Sequence, residues 1–121
     1  MKMTTLRILL IVIAAAATPL ATCFGQRPDT EEAAAVERAN AEIDVVFGNL
    51  MKALDKSQQA NLREAEAAWI KWRYAEANLI ARFTSVGGTA YRADYLIALR
   101  TLIEQRNAVL QGYLRQVKQG R

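Results

Sequence analysis

The sequence predicts an all-α protein, a small antiparallel three-helix bundle that follows a cleaved signal peptide. Three observations carry this expectation. After Pro28 the chain has no further proline, and Ala, Leu, Glu, Gln and Arg dominate it, the residues that lose least on entering a helix. Apolar residues recur at spacings of three, four and seven, and no alternating run is long enough for a strand. One segment, Thr84-Ser85-Val86-Gly87-Gly88-Thr89, has the composition of a loop. With 121 residues there is room for one domain.

The N-terminal segment stands apart from the fold. Lys2 and Arg7 are followed by the unbroken apolar run Ile8 to Ala17, and Pro19 ends any helix there. A membrane span needs about 20 apolar residues, so this run reads as a secretory signal. Residues 1–25 are assigned to the signal peptide, with cleavage after Gly25, and residues 26–121 to the mature domain. Leu20-Ala21-Thr22-Cys23 also resembles a lipobox, in which the cysteine is acylated and becomes the first mature residue; Thr22 departs from the usual Gly or Ala. The two alternatives are a periplasmic or secreted protein and a lipoprotein anchored through Cys23. Losing Lys2 and Arg7 takes 16 basic residues to 14 against 12 acidic ones, which lowers the formal charge from +4 to about +2. No dense basic stripe remains, so nucleic-acid binding is unsupported.

Each helix has its own justification. The first begins at Asp29 or Thr30, either of which can cap free N–H groups, with Glu31 and Glu32 favoured by the dipole of the first turn. Val36, Ile43, Val46, Phe47, Leu50 and Leu54 share one face. Gly48 interrupts it at a cost of about 1 kcal/mol, which close approach of another helix would justify. Asp55-Lys56-Ser57 breaks the helix, or bends a single long one, and Ser57 is the expected cap of the second. That helix runs from Gln58 to about Phe83 with the stripe Leu62, Ala65, Trp69, Trp72, Leu79, Ile80 and Phe83. The Gly87-Gly88 pair ends it by permitting positive φ. The third helix runs from Ala90 or Tyr91 to Val117, with Tyr95, Leu99, Leu102, Arg106, Val109, Tyr113 and Val117 in a near-heptad stripe.

Composition excludes several chemistries. The chain has no histidine and one cysteine. A Ser-His-Asp triad, a Cys-His pair, an imidazole or thiolate metal site and an internal disulfide are therefore out of reach. No catalytic residue, metal or cofactor is implied.

Two constellations remain. Glu66, Trp69, Arg73 and Glu76 are spaced three, four and three apart on one helical face, and Arg106 lies in the third helix's apolar stripe. Buried arginines need partners, so these residues read first as a salt-bridge cluster, with Arg73 pairing with Glu76 one turn away and Arg106 approaching the carboxylates. A recognition patch is the alternative. General acid–base work by Glu66 and Glu76 is disfavoured, because paired helical carboxylates are mostly solvated or salt-bridged. The second constellation is the connection Ser85, Gly87, Gly88, Thr89 and Tyr91, small and polar beside an aromatic ring. It is an ordinary connector, or an element that enters a concave partner site.

Three blocks, in order, resemble the lysozyme inhibitor LprI family. Ala39-Asn40-Ala41-Glu42-Ile43-Asp44-Val45-Val46-Phe47 is similar to the opening "A-(D/E)-x-x-L-N-x-x-Y", with Ile43, Asp44 and Phe47 in the Leu, Asn and Tyr places. The stretch from Leu62 to Glu76 is similar to a core that includes Q-x-x-W-x-x-(F/Y)-R, with Glu66 for Gln and with Trp69 and Arg73 matching. Gly87-Gly88 and Leu102 to Leu110 are similar to the "G-G-(S/T)" and "T-x-x-R-x-x-x-L" elements, with Ile103 for Thr and Arg106 matching. Family members usually carry a cysteine after the Arg segment and another in the last helix. Those places are held here by Ala77 and Ala98, which implies that a cross-link between two helices is missing, and Tyr74 replaces a usual Asp.

The resemblance implies an exported or lipid-anchored helical binding protein, not an enzyme, whose partner is another protein, with lysozyme the expected one. A mature charge near +2 gives no long-range attraction to a basic lysozyme, so recognition must come from local shape. The Ser85-to-Tyr91 connection is the expected inserting element. The alternative is a structural or assembly protein of the envelope that acts by helix-mediated self-association; exposure of Trp72, Tyr74 or Tyr113 would favour it.

Overall fold

The computed structural model describes residues 28–85 and 90–120. The expected signal peptide, Cys23, and Gly87, Gly88 and Thr89 of the connection lie outside the described residues. Three helices form, α1 (Pro28–Ala53), α2 (Lys56–Thr84) and α3 (Tyr91–Gln119), with no strand among the described residues. The expected all-α bundle is the observed architecture.

α1 starts one residue before the expected caps. Proline suits the first helical position, where its missing N–H has no partner to lose. Asp29 therefore lies inside the first turn, where its carboxylate meets Arg92 of α3 at 3.4 Å. The break between α1 and α2 is sharp. Asp55 rather than Ser57 caps α2: its Oδ1 accepts from the Gln58 N–H at 2.8 Å, and the Gln58 side chain accepts from the Asp55 N–H at 3.1 Å. This reciprocal pair satisfies two first-turn donors at once. Gln59 Nε2 donates to the carbonyls of Met51 and Leu54, at 2.8 and 3.1 Å, and so occupies acceptors left open at the end of α1. The chain reverses here, so α1 and α2 are two helices and not one long bent helix.

Cross-links fix the directions. Asp29–Arg92 and Glu32–Arg100 run α1 and α3 in parallel. Glu66–Arg106 and Thr84–Asp94 run α2 antiparallel to α3. The order is up-down-up, with α3 central: it packs along both other helices, while α1 and α2 touch each other sparsely. The core gathers Val36, Ile43 and Leu50 of α1, Leu62 and Ala77 of α2, and Leu99, Ile103 and Leu110 of α3. Burying each Leu or Ile contributes about 1.5–3 kcal/mol.

The α1 stripe faces this core, but those of α2 and α3 are rotated from expectation. The buried positions of α2 are Leu62, Arg73, Ala77 and Ala81. Ala65, Trp72, Leu79 and Phe83, expected inside, are exposed, Phe83 to 74 %. On α3, Leu99 and Leu102 are buried as expected, whereas Val109 and Tyr113 face outward and Ile103 and Leu110 are fully buried. A central helix must bury two faces, so its apolar arc is wider than one heptad stripe. Gly48 also departs from expectation. A Cβ built there meets nothing within 4 Å, so no close helix approach accounts for it.

Candidate functional site

Because α1 and α2 diverge, a groove of about 420 Å³ opens between them. Ile43, Phe47, Trp69 and Ile70 supply apolar walls, and Asn40, Asp44, Arg63, Glu66 and Arg73 supply polar groups. Val36, Asn40, Ile43 and Phe47 are spaced four, three and four apart, which places the Asn40 amide on the inward stripe of α1.

Arg73 is the centre of the groove. It is only 8 % exposed. Its guanidinium lies 4.9 Å from the Trp69 ring centroid and 4.8 Å from that of Tyr74, held between two aromatic faces. Nη1 donates to Asn40 Oδ1 and Nη2 to Tyr74 Oη, both at 3.0 Å. Nε is buried and makes no hydrogen bond. The expected pairing with Glu76 does not occur. Glu76 instead lines a separate groove between α2 and α3, with Trp72, Ile80, Ile97 and Thr101. Three residues on, Glu76 is rotated about 60° around the α2 axis from Arg73, which turns it toward α3 while Arg73 reaches Asn40 of α1.

Glu66 and Arg106 meet as the sequence predicts. Nε and Nη2 of Arg106 both reach Glu66 Oε2 at 3.1 Å, with both side chains largely buried. The Arg106 guanidinium also lies 5.9 Å from the Trp69 ring. Trp69 thus sits between a paired arginine and one without a carboxylate.

Toward the α2–α3 connection, Tyr74, Asn78, Tyr91, Arg92 and Tyr95 line a shallow hollow. Tyr91 and Tyr95 stack with centroids 6.3 Å apart, and the Tyr91 hydroxyl donates to Asn78 Oδ1. Burial raises the Tyr95 pKa above its usual value, helped by the neighbouring Tyr74 and Tyr91 hydroxyls and opposed by Arg73. Of the expected connection residues, Ser85 caps α2 by donating its N–H and its hydroxyl to the Ala81 carbonyl, at 2.9 and 2.6 Å. Tyr91 belongs to the tyrosine hollow.

The sequence reading missed Asn40, Phe47, Tyr74 and Tyr95 as one surface with Trp69 and Arg73. The signal was available in part: Asn40 is a polar residue at a core spacing, four after Val36 and three before Ile43. Among the described residues no group of three or more acidic, histidine or cysteine side chains could hold a metal.

The model of the family described as Lysozyme inhibitor LprI matches residues 25–110. The chain belongs to the lysozyme inhibitor LprI family. Neither a comparison with curated proteins nor one with solved structures finds a match. The LprI match includes both walls of the groove, the tyrosine hollow and Arg106, and it stops at Leu110, within α3. Ala77 and Ala98 are both buried in the shared core of α2 and α3. This LprI domain is therefore held by packing and by ion pairs such as Glu66–Arg106. No helix of the described residues is long and apolar enough to cross a membrane.

Proposed function

We propose that this chain is an exported cell-envelope protein that binds another protein, and that lysozyme is the partner it inhibits. The family match carries the reading. The surface supports it: tryptophan, tyrosine and arginine, the residues that dominate binding energy at interfaces, converge on one open face. That face runs from the α1–α2 groove through Tyr74 to Tyr91. The connection Ser85, Gly87, Gly88, Thr89 and Tyr91 is proposed to enter the enzyme's cleft. Export rests on the apolar run after Arg7, and a lipid anchor at Cys23 would tether the same domain to a membrane.

Titration of hen-type lysozyme with the purified protein, at low and physiological salt, tests the reading. Dose-dependent inhibition with little salt dependence is expected, since a charge near +2 offers no steering toward a basic enzyme. A folded protein that leaves lysozyme fully active rejects lysozyme as the partner. Unchanged inhibition after substitution of Ser85 and Tyr91 together removes the connection from the contact.

One observation favours a second reading, self-association. Trp72, Tyr74 and Tyr113 are all close to half exposed, and Ala65, Ala68, Trp72, Ala75 and Leu79 make an exposed heptad stripe along α2. A molecular mass that rises with concentration, and that Trp72→Glu abolishes, is its signature.

A further inference from the structure

We infer that the α1–α2 groove receives a carboxylate side chain of the protein partner, and that Arg73 is the group that binds it. The inference rests on the protein-binding reading above and names the chemistry of the contact.

A guanidinium is always charged and offers five N–H donors. Removing such a charge from water is costly unless it is paired. Arg73 is buried, yet its hydrogen-bond acceptors, Asn40 and Tyr74, are both neutral, and its Nε has none. The ion pairs formed among the described residues use Arg92, Arg100 and Arg106. Glu66, the carboxylate closest in sequence on this face, is occupied by Arg106. With that pair neutralised, the groove keeps Arg63 and Arg73 against Asp44. Aromatic faces and two neutral acceptors hold the Arg73 fork in place without cancelling its charge.

A planar fork fixed in this way matches a carboxylate, which accepts two parallel N–H bonds. The apolar walls, Phe47, Trp69 and Ile70, suit the carbon stem of Glu and an apolar neighbour in a peptide. Arg63 is exposed and adds attraction without competing for the fixed geometry.

The test uses the protein as its producing cell processes it, carrying Trp72→Phe so that Trp69 is the fluorescent reporter. The probes are the capped tripeptide acetyl-Leu-Glu-Leu-amide, the same peptide with Gln for Glu, and inorganic phosphate. Saturable change of Trp69 emission is expected with the Glu peptide, with binding at least about tenfold weaker for the Gln peptide, the difference a charged hydrogen bond makes. Arg73→Lys, which keeps the charge and loses the fork, is expected to weaken the Glu peptide similarly, and circular dichroism reports its folding. Glu and Gln peptides binding alike, no saturable response to the Glu peptide, or phosphate competing as strongly as the Glu peptide overturns the inference. Because the comparison of peptides needs neither lysozyme nor a change at Arg73, its result separates from the inhibition assay. Glu-selective binding without lysozyme inhibition supports the carboxylate site and removes only lysozyme. Inhibition that Arg73→Lys leaves unchanged removes the site and keeps the inhibitor.

Discussion

Ala77→Cys combined with Ala98→Cys should introduce a cross-link between α2 and α3. The two alanines lie in the α2–α3 packing, buried to 0 % and 5 % exposure. They fall between the Glu66–Arg106 ion pair on one side and the Thr84–Asp94 hydrogen bond on the other, which sets the two positions opposite each other in an antiparallel pair. A bridge would close a loop of about 22 residues, and the chain-entropy relation then gives about 3.4 kcal/mol at 25 °C. Two extra sulfurs in filled positions oppose this by about 1–3 kcal/mol through overpacking. The same sulfurs are present in the reduced protein, so comparing oxidised with reduced double variant isolates the bridge. In a domain this small, 3.4 kcal/mol corresponds to a Tm gap of roughly 14–27 °C. Free-thiol titration should show both thiols consumed on mild oxidation, and thermal melts with and without reductant should show the gap. Failure of the thiols to pair within the folded monomer would refute the α2–α3 register on which the position of Arg106 beside Glu66 also depends.

Other expectations follow from single contacts. Asp55→Ala should cost about 1 kcal/mol in urea denaturation, because it removes the reciprocal cap of α2, whereas Ser57→Ala should change the midpoint little; the reverse order would restore Ser57 as the cap. Gly48→Ala should stabilise by about 1 kcal/mol, since the added methyl meets no atom and helix propensity rises; a loss of stability on the same denaturation assay would mean the site is closed. Glu66→Gln should destabilise by about 3 kcal/mol by leaving Arg106 buried and unpaired, while Glu66→Leu with Arg106→Leu should lie much nearer to neutral. Tyr95 has a pKa raised above 10.0 in the folded state, so the unfolded chain ionises first as pH rises and stability falls above about pH 10. Urea midpoints taken below and above that pH should show a smaller fall for Tyr95→Phe.

Much of the fold was legible because helix-forming residues and a single proline-free span leave few alternatives. The connection after Thr84 and the α1 stripe of Val36, Ile43 and Leu50 stand where local composition and periodicity put them. The cap of α2 was misplaced by two residues because Asp55 and Ser57 are both competent caps. The choice depends on Gln58, which completes a box with Asp55 and is adjacent to Ser57. The α2 face was misread for a deeper reason. This helix carries two stripes, one through Leu62, Trp69, Arg73 and Ala77 and another through Ala65, Trp72 and Leu79. The second is the more apolar, and hydrophobicity alone selects it. Which stripe faces inward is decided by α3, whose wide buried arc reaches α2 through Ala98 and Leu102 and meets Glu66 through Arg106.

That inversion bears directly on function. A helix that turned Trp72, Leu79 and Phe83 inward would bury more apolar surface and leave Arg73 in solvent. Here Arg73 is inside and the apolar stripe is outside, an arrangement that leaves apolar surface in water and takes a charge out of it. Folding gains something in return from Arg73: two hydrogen bonds, two aromatic faces and a link from α2 to Asn40 of α1 across helices that otherwise scarcely touch. Yet an uncharged residue could pack between Trp69 and Asn40 without any desolvated charge, and buried ion pairs are often replaceable at no cost to stability. Stability alone therefore does not explain a guanidinium without a counter-charge at the floor of an open groove. An incoming carboxylate does, because it supplies the missing charge only when a partner is bound.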